Sequence, residues 1–436
     1  MDISKIIFRT ILAVVVLGGF FVVGLYSGHH RNGLHQLVYG TFDQTRLVIK
    51  ELPNLTKSRP IHFLRKARYD GEGVTVNAGP DKTDEYLLLS GFFKDHNGVR
   101  LIERDGTIVH EWNVSIFDTV GDPSFCRNPP ATEWNAIPHG TIIEPDGTIT
   151  LGFESCGMIK LDRCSAPVWA QTELITHHSP NFMSNGDIVI AGGEFVPDGP
   201  NVQWPYDDEY WEDLIFVFSP DGTLKKSKRM TDLYIENDYQ AILTATGKFA
   251  TWINGEFHLN EVEELSPELA PAFPMFEAGD LLLSIRNRNM IMVVDAEMET
   301  IKWHQIGPWI RQHDPDFQPD GTITLYDNNT DETNPGRRSG GSRIYRVDPT
   351  TGETEIVYGG TPETHFYSRE RATHQMQPDG SVLVTEAQGG RVFQVDSAGE
   401  IIWEWVNRYD EDNVTWMHDA SILPKSFFEV SDWSCS

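Results

Sequence analysis

Histidine recurs in this chain at one place in a repeated pattern. His139 stands six residues before Pro145-Asp146-Gly147, His178 six before Ser184-Asn185-Gly186, His313 six before Pro319-Asp320-Gly321, and His418 six before Pro424. A looser copy runs from His258 to Ala278-Gly279-Asp280. Another copy ends in Pro378-Asp379-Gly380, where the aligned residue is Ala372 and His374 follows two residues later, on the same face of a strand. Any one of these imidazoles could simply bond a neighbouring loop, but a set that converges could act as nucleophile, proton carrier or ligand. His258 and Asn260, two apart, share a strand face, and Arg286 at the end of the next strand offers a permanently charged donor fork. Several histidines, an asparagine and an arginine in a hollow suit a tetrahedral anion such as sulfate or phosphate. Metal-binding histidines usually come with carboxylates at close ligand spacing. Here only Asp314 and Asp419 directly follow ring histidines, on the opposite strand face, so no metal is expected.

The elements that must position these side chains are β-hairpins. Between Arg311 and Asn329, an extended run opening at His313 meets a Pro319-Asp320-Gly321 turn and then the alternating Thr-Ile-Thr-Leu-Tyr of a half-buried strand. Each copy continues with further strands, the last often ending in tryptophan, as in Arg391 to Asp396 followed by Ile401 to Trp405, and Met290 to Asp295 followed by Thr300 to Trp303. Four short strands per unit, repeating every ~40 to 50 residues, is the signature of a β-propeller. The first unit, Glu85 to Trp112, lacks an opening strand, and Trp416 to Pro424 at the other end of the chain supplies one. The expected fold is therefore all-β: a six-bladed β-propeller whose C-terminal strand completes the first blade, leaving no open sheet edge. The first strand of each blade lines the central channel, so His139, His178, His258, His313, His374 and His418 would form a ring at one mouth.

A net charge of -29 argues against nucleic acid as a partner, since phosphate binding needs a basic face; it reads as a solvated acidic surface. Ile6 to Tyr26 is an apolar run broken only by Arg9 and Thr10, about long enough to span a bilayer. Lys5 and Arg9 place its N-terminus in the cytoplasm, and no clear small-residue cleavage site follows, so an uncleaved anchor is expected with the propeller outside. Leu34, Leu37, Val38, Phe42 and Leu47 fall at loosely helical spacing before Pro53 and Pro60 interrupt them. This gives residues 1–28 as cytoplasmic tail and transmembrane helix, 29–72 as helical stalk and 73–436 as propeller. On the exported side Cys126, Cys156, Cys164 and Cys435 can form disulfides. Cys156 and Cys164 flank one strand and stand too far apart to bridge, which leaves Cys126 with either of them.

Thr176-His177-His178, His258-Leu259-Asn260, Ser284-Ile285-Arg286 and Gln312-His313-Asp314 resemble motifs of the bacterial arylsulfotransferases, also called arylsulfate sulfotransferases, which are six-bladed propellers. The likeness extends from Gly73-Val74-Thr75 through Ile102 to Trp112 and on to Gly390 to Asn407. It implies transfer of a sulfuryl group from a phenolic sulfate ester to another phenol, with no nucleotide sulfate donor and no cofactor. It also implies that His313 is the nucleophile, with His258 and Arg286 assisting and His178 and Asn260 binding the sulfate. His139, His374 and His418 are candidates for substrate contact by their place in the ring. The chain departs from the family in the acidic Glu261-Val262-Glu263-Glu264, in an apparent insertion from Ser266 to Phe276, and in the poor match at Ala372 to His374. A membrane-anchored propeller that only binds partners is the competing reading. A quinone-dependent dehydrogenase or a metal-dependent hydrolase on the same fold is a third.

Overall fold

A computed structural model of the chain describes residues 3–30, 46, 49–79, 82–197, 199, 209–243, 257–331, 333 and 335–435. Its contacts divide into two units, Met1–Ile61 and His62–Ser436. In the first, Ile3–His30 is one α-helix. Within it Phe8–His29 is long and apolar enough to cross a membrane, a property that signal sequences share. Of the stalk positions, Leu34, Leu37, Val38, Phe42 and Leu47 lie outside the described residues. Residues 49–55 are helical, and Pro53 lies inside this stretch rather than ending it. A proline removes only one N–H, a small loss close to a helix end, and the turn is closed by Ser58 N–H donating to Pro53 O at 2.9 Å.

The second unit is an all-β, propeller-like array. Among the described residues, three sheets have four strands: Leu259–Glu264 to Ile301–Ile306, His313–Phe317 to Thr354–Gly359, and Met417–Pro424 with Glu85–Phe93, His96–Ile102 and Ile108–Val114. A five-stranded sheet runs from His374–Met376 to Ile401–Val406 and adds Gly73–Asn77 on its outer edge. One eight-stranded sheet runs from Pro138–Ile143 to Leu224–Arg229. Its halves are joined by only two residue pairs, Gly192 with Thr176 and Gly193 with Ile175. Residues 62–72, assigned above to the stalk, are built into this unit. Phe63 stacks on Phe92 at 4.2 Å, and Leu64–Lys66 pairs with Asn413–Thr415.

The hairpin reading holds at residue level. His313–Phe317 pairs with Ile323–Asp327, and Gly321 closes the turn at φ 81°, a conformation that costs glycine nothing. The C-terminal strand Met417–Pro424 pairs antiparallel with Glu85–Phe93, from Met417 opposite Gly91 to Pro424 opposite Glu85. Tryptophans near the outer strands fasten neighbouring sheets. The indole N–H of Trp112 donates to Gly147 O (3.0 Å), and that of Trp403 to Arg104 O (2.8 Å), with both rings fully buried. Each joins a large buried apolar surface to a satisfied polar edge, and truncating either to alanine would cost about 3–5 kcal/mol. The Ser266 to Phe276 stretch folds into a cap in which Phe273 and Phe276 pack on Phe317. The cysteines pair as Cys126–Cys156 and Cys164–Cys435, the first being one of the two pairings expected.

Candidate active site

The innermost strands carry a repeated irregularity. Register shifts interrupt pairing between Pro138 and Thr141, Leu259 and Glu261, His313 and Asp316, and Met417 and Asp419. One extra residue at each point bends the strand and re-aims the side chains around it. Two histidines are also held in the left-handed region that side-chain-bearing residues avoid, His178 at φ 68° and His258 at φ 54°. The peptide N–H of His258 is fixed by Asp213 Oδ2 at 2.8 Å, and its carbonyl accepts from Arg286 N at 3.1 Å, so strand pairing itself sets Arg286 beside His258.

These devices aim His139, His178, His258, His313 and Arg286 into one cavity of about 380 Å3, whose wall also includes His177, Trp211, Asp213, Arg127, Arg371 and Trp416. The Nε2 atoms of His178 and His258 lie 3.0 Å apart, so one donates to the other. Ring centroids of His178 lie 4.4 Å from His139 and 5.7 Å from His313. Burial, reinforced by neighbouring histidines and arginines, holds His139, His178 and His258 well below the usual histidine pKa. For His313 burial and the Arg286 charge bring it to about 3, against the opposing pull of hydrogen bonds to the Asn328 side chain and the Arg311 backbone. The ring is thus neutral at pH 7 and carries a lone pair.

Three residues expected at this site are used elsewhere. Asn260 is buried, and its Nδ2 donates to the carbonyl of Gln312 at 2.8 Å, so it braces the peptide before His313 instead of lining the cavity. His374 lies away from the cavity: its Nδ1 meets Asp314 Oδ2 and its Nε2 meets Thr324 Oγ1, each at 2.8 Å. Burial works against its charged form, but the Asp314 and Asp316 carboxylates raise its pKa above the usual value. His418 sits at a bulge that turns it toward Asn97 Oδ1 (3.3 Å) and the edge of Phe63 (5.9 Å). The two-residue offset of His374 and the bulge at His418 are steps in depth and direction that spacing alone does not reveal.

The opposite-face carboxylates form a layer of their own. Glu261, Glu263, Asp314 and Asp419 act as acceptors between sheets: Asn181 Nδ2 donates to Glu261, Phe317 N to Glu263 (2.9 Å), His374 Nδ1 to Asp314 (2.8 Å), and Thr373 Oγ1 to Asp419 (2.8 Å), while Asp316 lies 3.6 Å from His374 Nε2. The acidic run after Asn260 therefore joins neighbouring sheets. Ligand atoms of Asp314, Asp316 and His374 lie within 4.8 Å of one another, but both ring nitrogens of His374 already have partners. A wider hollow of about 670 Å3, walled in part by Arg68, Tyr69, Arg337 and His365, contains none of the repeated histidines.

Spacing missed part of the cavity wall. His177 sat unused in the quoted Thr176-His177-His178 motif. Arg127 stacks on Trp211 at 3.9 Å, and Arg371 lies 5.2 Å over Trp416, from loops and outer strands with no repeated signal. Arg127 and Ser155, both on the wall, adjoin the Cys126–Cys156 disulfide and bond through their backbones at 2.9 Å.

The family described as arylsulfotransferase (ASST) matches residues 140–408. Among solved structures, a protein of unknown function from Bacteroides caccae aligns at 10% identity over 78% of this chain and 99% of its own, with a TM-score of 0.49. A streptogramin B lyase aligns at 12% identity over 79% and 88% (TM-score 0.41), and virginiamycin B lyase from Staphylococcus aureus at 13% over 62% and 69% (TM-score 0.35). No curated protein sequence matches the chain.

Proposed function

This chain belongs to the arylsulfotransferase family, and on that premise we propose that it moves a sulfuryl group from a phenolic sulfate ester to a phenol through a sulfohistidine at His313. The observation that carries the reading is the convergence of a neutral His313 with Arg286 and the His178–His258 pair on one cavity with aromatic walls. In the first step the His313 lone pair attacks sulfur, an N–S bond forms, the S–O(aryl) bond breaks, and its electron pair leaves on the phenolic oxygen. The Arg286 guanidinium stabilises charge on the sulfuryl oxygens, and an N–H of the His178–His258 pair can protonate the leaving oxygen. In the second step that pair takes the proton of the incoming phenol, whose oxygen attacks sulfur, and the N–S electrons return to His313. Trp211 and Trp416 suit the flat ring of donor or acceptor. On the wall Arg127, Arg286 and Arg371 balance Glu154, Asp213 and Glu370, with Arg371 ion-paired to Glu154, and the more distant carboxylates of a chain of net charge -29 are screened within about 8–10 Å.

We read the eight-stranded sheet as two blades, which gives a six-bladed propeller closed by Met417–Pro424. The pairing of that strand with Glu85–Phe93 and the Trp403 to Arg104 bond support this reading. We also take the apolar helix as an uncleaved anchor, with residues 1–28 as tail and span, a stalk after them, and the propeller on the periplasmic side. Its length and the Lys5 and Arg9 charges support this.

The test is intact-protein mass after brief exposure to an aryl sulfate alone, quenched at alkaline pH. A sulfuryl adduct on His313 and ping-pong kinetics with a phenol acceptor are expected. His313→Asn should lose the adduct while still binding donor. An adduct mapped to another residue, or full turnover by His313→Asn, would remove His313 from the reaction.

A further inference from the structure

Attack by His313 requires its lone pair on one particular nitrogen, and the surroundings of Asn328 decide which. Asn328 follows the strand Ile323–Asp327 and is fully buried. Its Nδ2 donates to two backbone carbonyls, Ser368 O at 2.9 Å and Arg371 O at 2.8 Å. Carbonyl oxygens only accept. Reversing the amide would set its own oxygen against both, so the side chain has one allowed orientation. That orientation points Oδ1 at Nδ1 of His313, 2.6 Å away. An amide oxygen accepts only, so Nδ1 must carry the proton.

We infer that Asn328 is a positioning residue that fixes the Nδ1–H tautomer of His313 and so reserves the Nε2 lone pair for the sulfuryl group. The inference rests on the reading of His313 as nucleophile. It adds which nitrogen is sulfated, and what holds the ring. The step balances: Nε2 forms the N–S bond, the S–O electrons leave with the aryl oxygen, and Nδ1 keeps its proton. The ring becomes formally cationic, and Asn328 Oδ1 accepts the Nδ1–H throughout, stabilising that charge more than the neutral ring. The same amide holds the backbone of Arg371, which lines the cavity, so nucleophile and cavity wall share one support.

The test uses full-length protein labelled with [15N]histidine, with the His313 ring signals identified by their loss in His313→Asn. In the wild type, Nδ1 should show as the protonated nitrogen and Nε2 as the lone-pair nitrogen. His313 found as the Nε2–H tautomer would overturn the inference without any variant at position 328. Asn328→Ala should admit the Nε2–H tautomer and slow the donor half-reaction roughly 10- to 100-fold, with donor KM changed far less. The wild-type tautomer keeps the question answerable if the alanine protein fails to fold; Asn328→Asp is no substitute, since it would set a second oxygen against the Ser368 and Arg371 carbonyls. An Asn328→Ala protein with wild-type tautomer and half-reaction rate would sink the proposal. If the wild type shows the expected tautomer but no adduct on His313, the sulfohistidine reading fails and the role of Asn328 in fixing the ring stands.

Discussion

Buried ionisable side chains in the propeller titrate in opposite senses. The lowered pKa of His313, about 3, means that the folded state excludes a proton the unfolded chain binds near pH 6.5. Its stabilising contribution is full above pH 6.5 and is lost as pH falls toward 3. Glu263 behaves in reverse. Burial, helped by the Asp314 charge and opposed by the Phe317 N–H, raises it to about 8, so its contribution is full near pH 4 and is lost as pH rises through 8. Glu261, Asp316 and Asp419 shift in the same direction, each chiefly by burial. The melting temperature should therefore fall on both sides of a maximum between about pH 5 and 7. Glu263→Gln keeps an acceptor for Phe317 N–H but cannot ionise, so its melting temperature should gain on the wild type as pH rises from 6 to 9. A gap that stays constant across that range would show that Glu263 does not titrate there.

The element that matters most is the strand Met417–Pro424. It pairs with Glu85–Phe93 from Met417 opposite Gly91 to Pro424 opposite Glu85, and it buries Met417, Ala420 and Ile422 against Leu87 and Leu89. Removing everything after Asn413 would strip Glu85–Phe93 of this neighbour and delete the Cys164–Cys435 disulfide. The expected loss exceeds the net stability of a typical domain, about 5–15 kcal/mol, and exposes a sheet edge that invites aggregation. Soluble yield and thermal melting of the truncated chain decide the matter. A truncated protein as soluble and heat-resistant as the full chain would mean that the first sheet does not depend on its C-terminal strand.

For the whole molecule, the apolar Phe8–His29 and its basic flank set an expectation about sidedness. Protease added outside intact cells or spheroplasts should digest or release the propeller and leave the helix with the membrane. Protection of the propeller until the membrane is lysed would reverse the orientation. Release of the intact propeller into the medium without protease would favour a cleaved signal over an anchor.

Much of this molecule was legible from its residues because a propeller repeats. Turn triplets such as Pro319-Asp320-Gly321 and alternating apolar residues specify hairpins locally, and a histidine six residues before four of the turns, with His258 and His374 in looser copies, marks the strand that faces inward. That logic brought His139, His178, His258 and His313 together with Arg286. It also picked Trp416 to Pro424 as the partner of Glu85 to Trp112, since the first unit was one strand short. What spacing could not supply was direction in three dimensions. A one-residue bulge turns His418 toward Asn97, a two-residue offset commits His374 to Asp314 and Thr324, and Asn260 meets a backbone carbonyl instead of the cavity. Arg127 and Arg371 reach the cavity from loops and Trp211 from the start of the strand Tyr210–Phe218, and Asn328 bonds residues 40 and 43 positions away. The sequence by itself determined the strands, their repeat and the chemical kinds of side chain at the inner face. Only the tertiary structure decided which of them share a cavity and which nitrogen of His313 bears the proton, because both depend on contacts between sheets that no local pattern encodes.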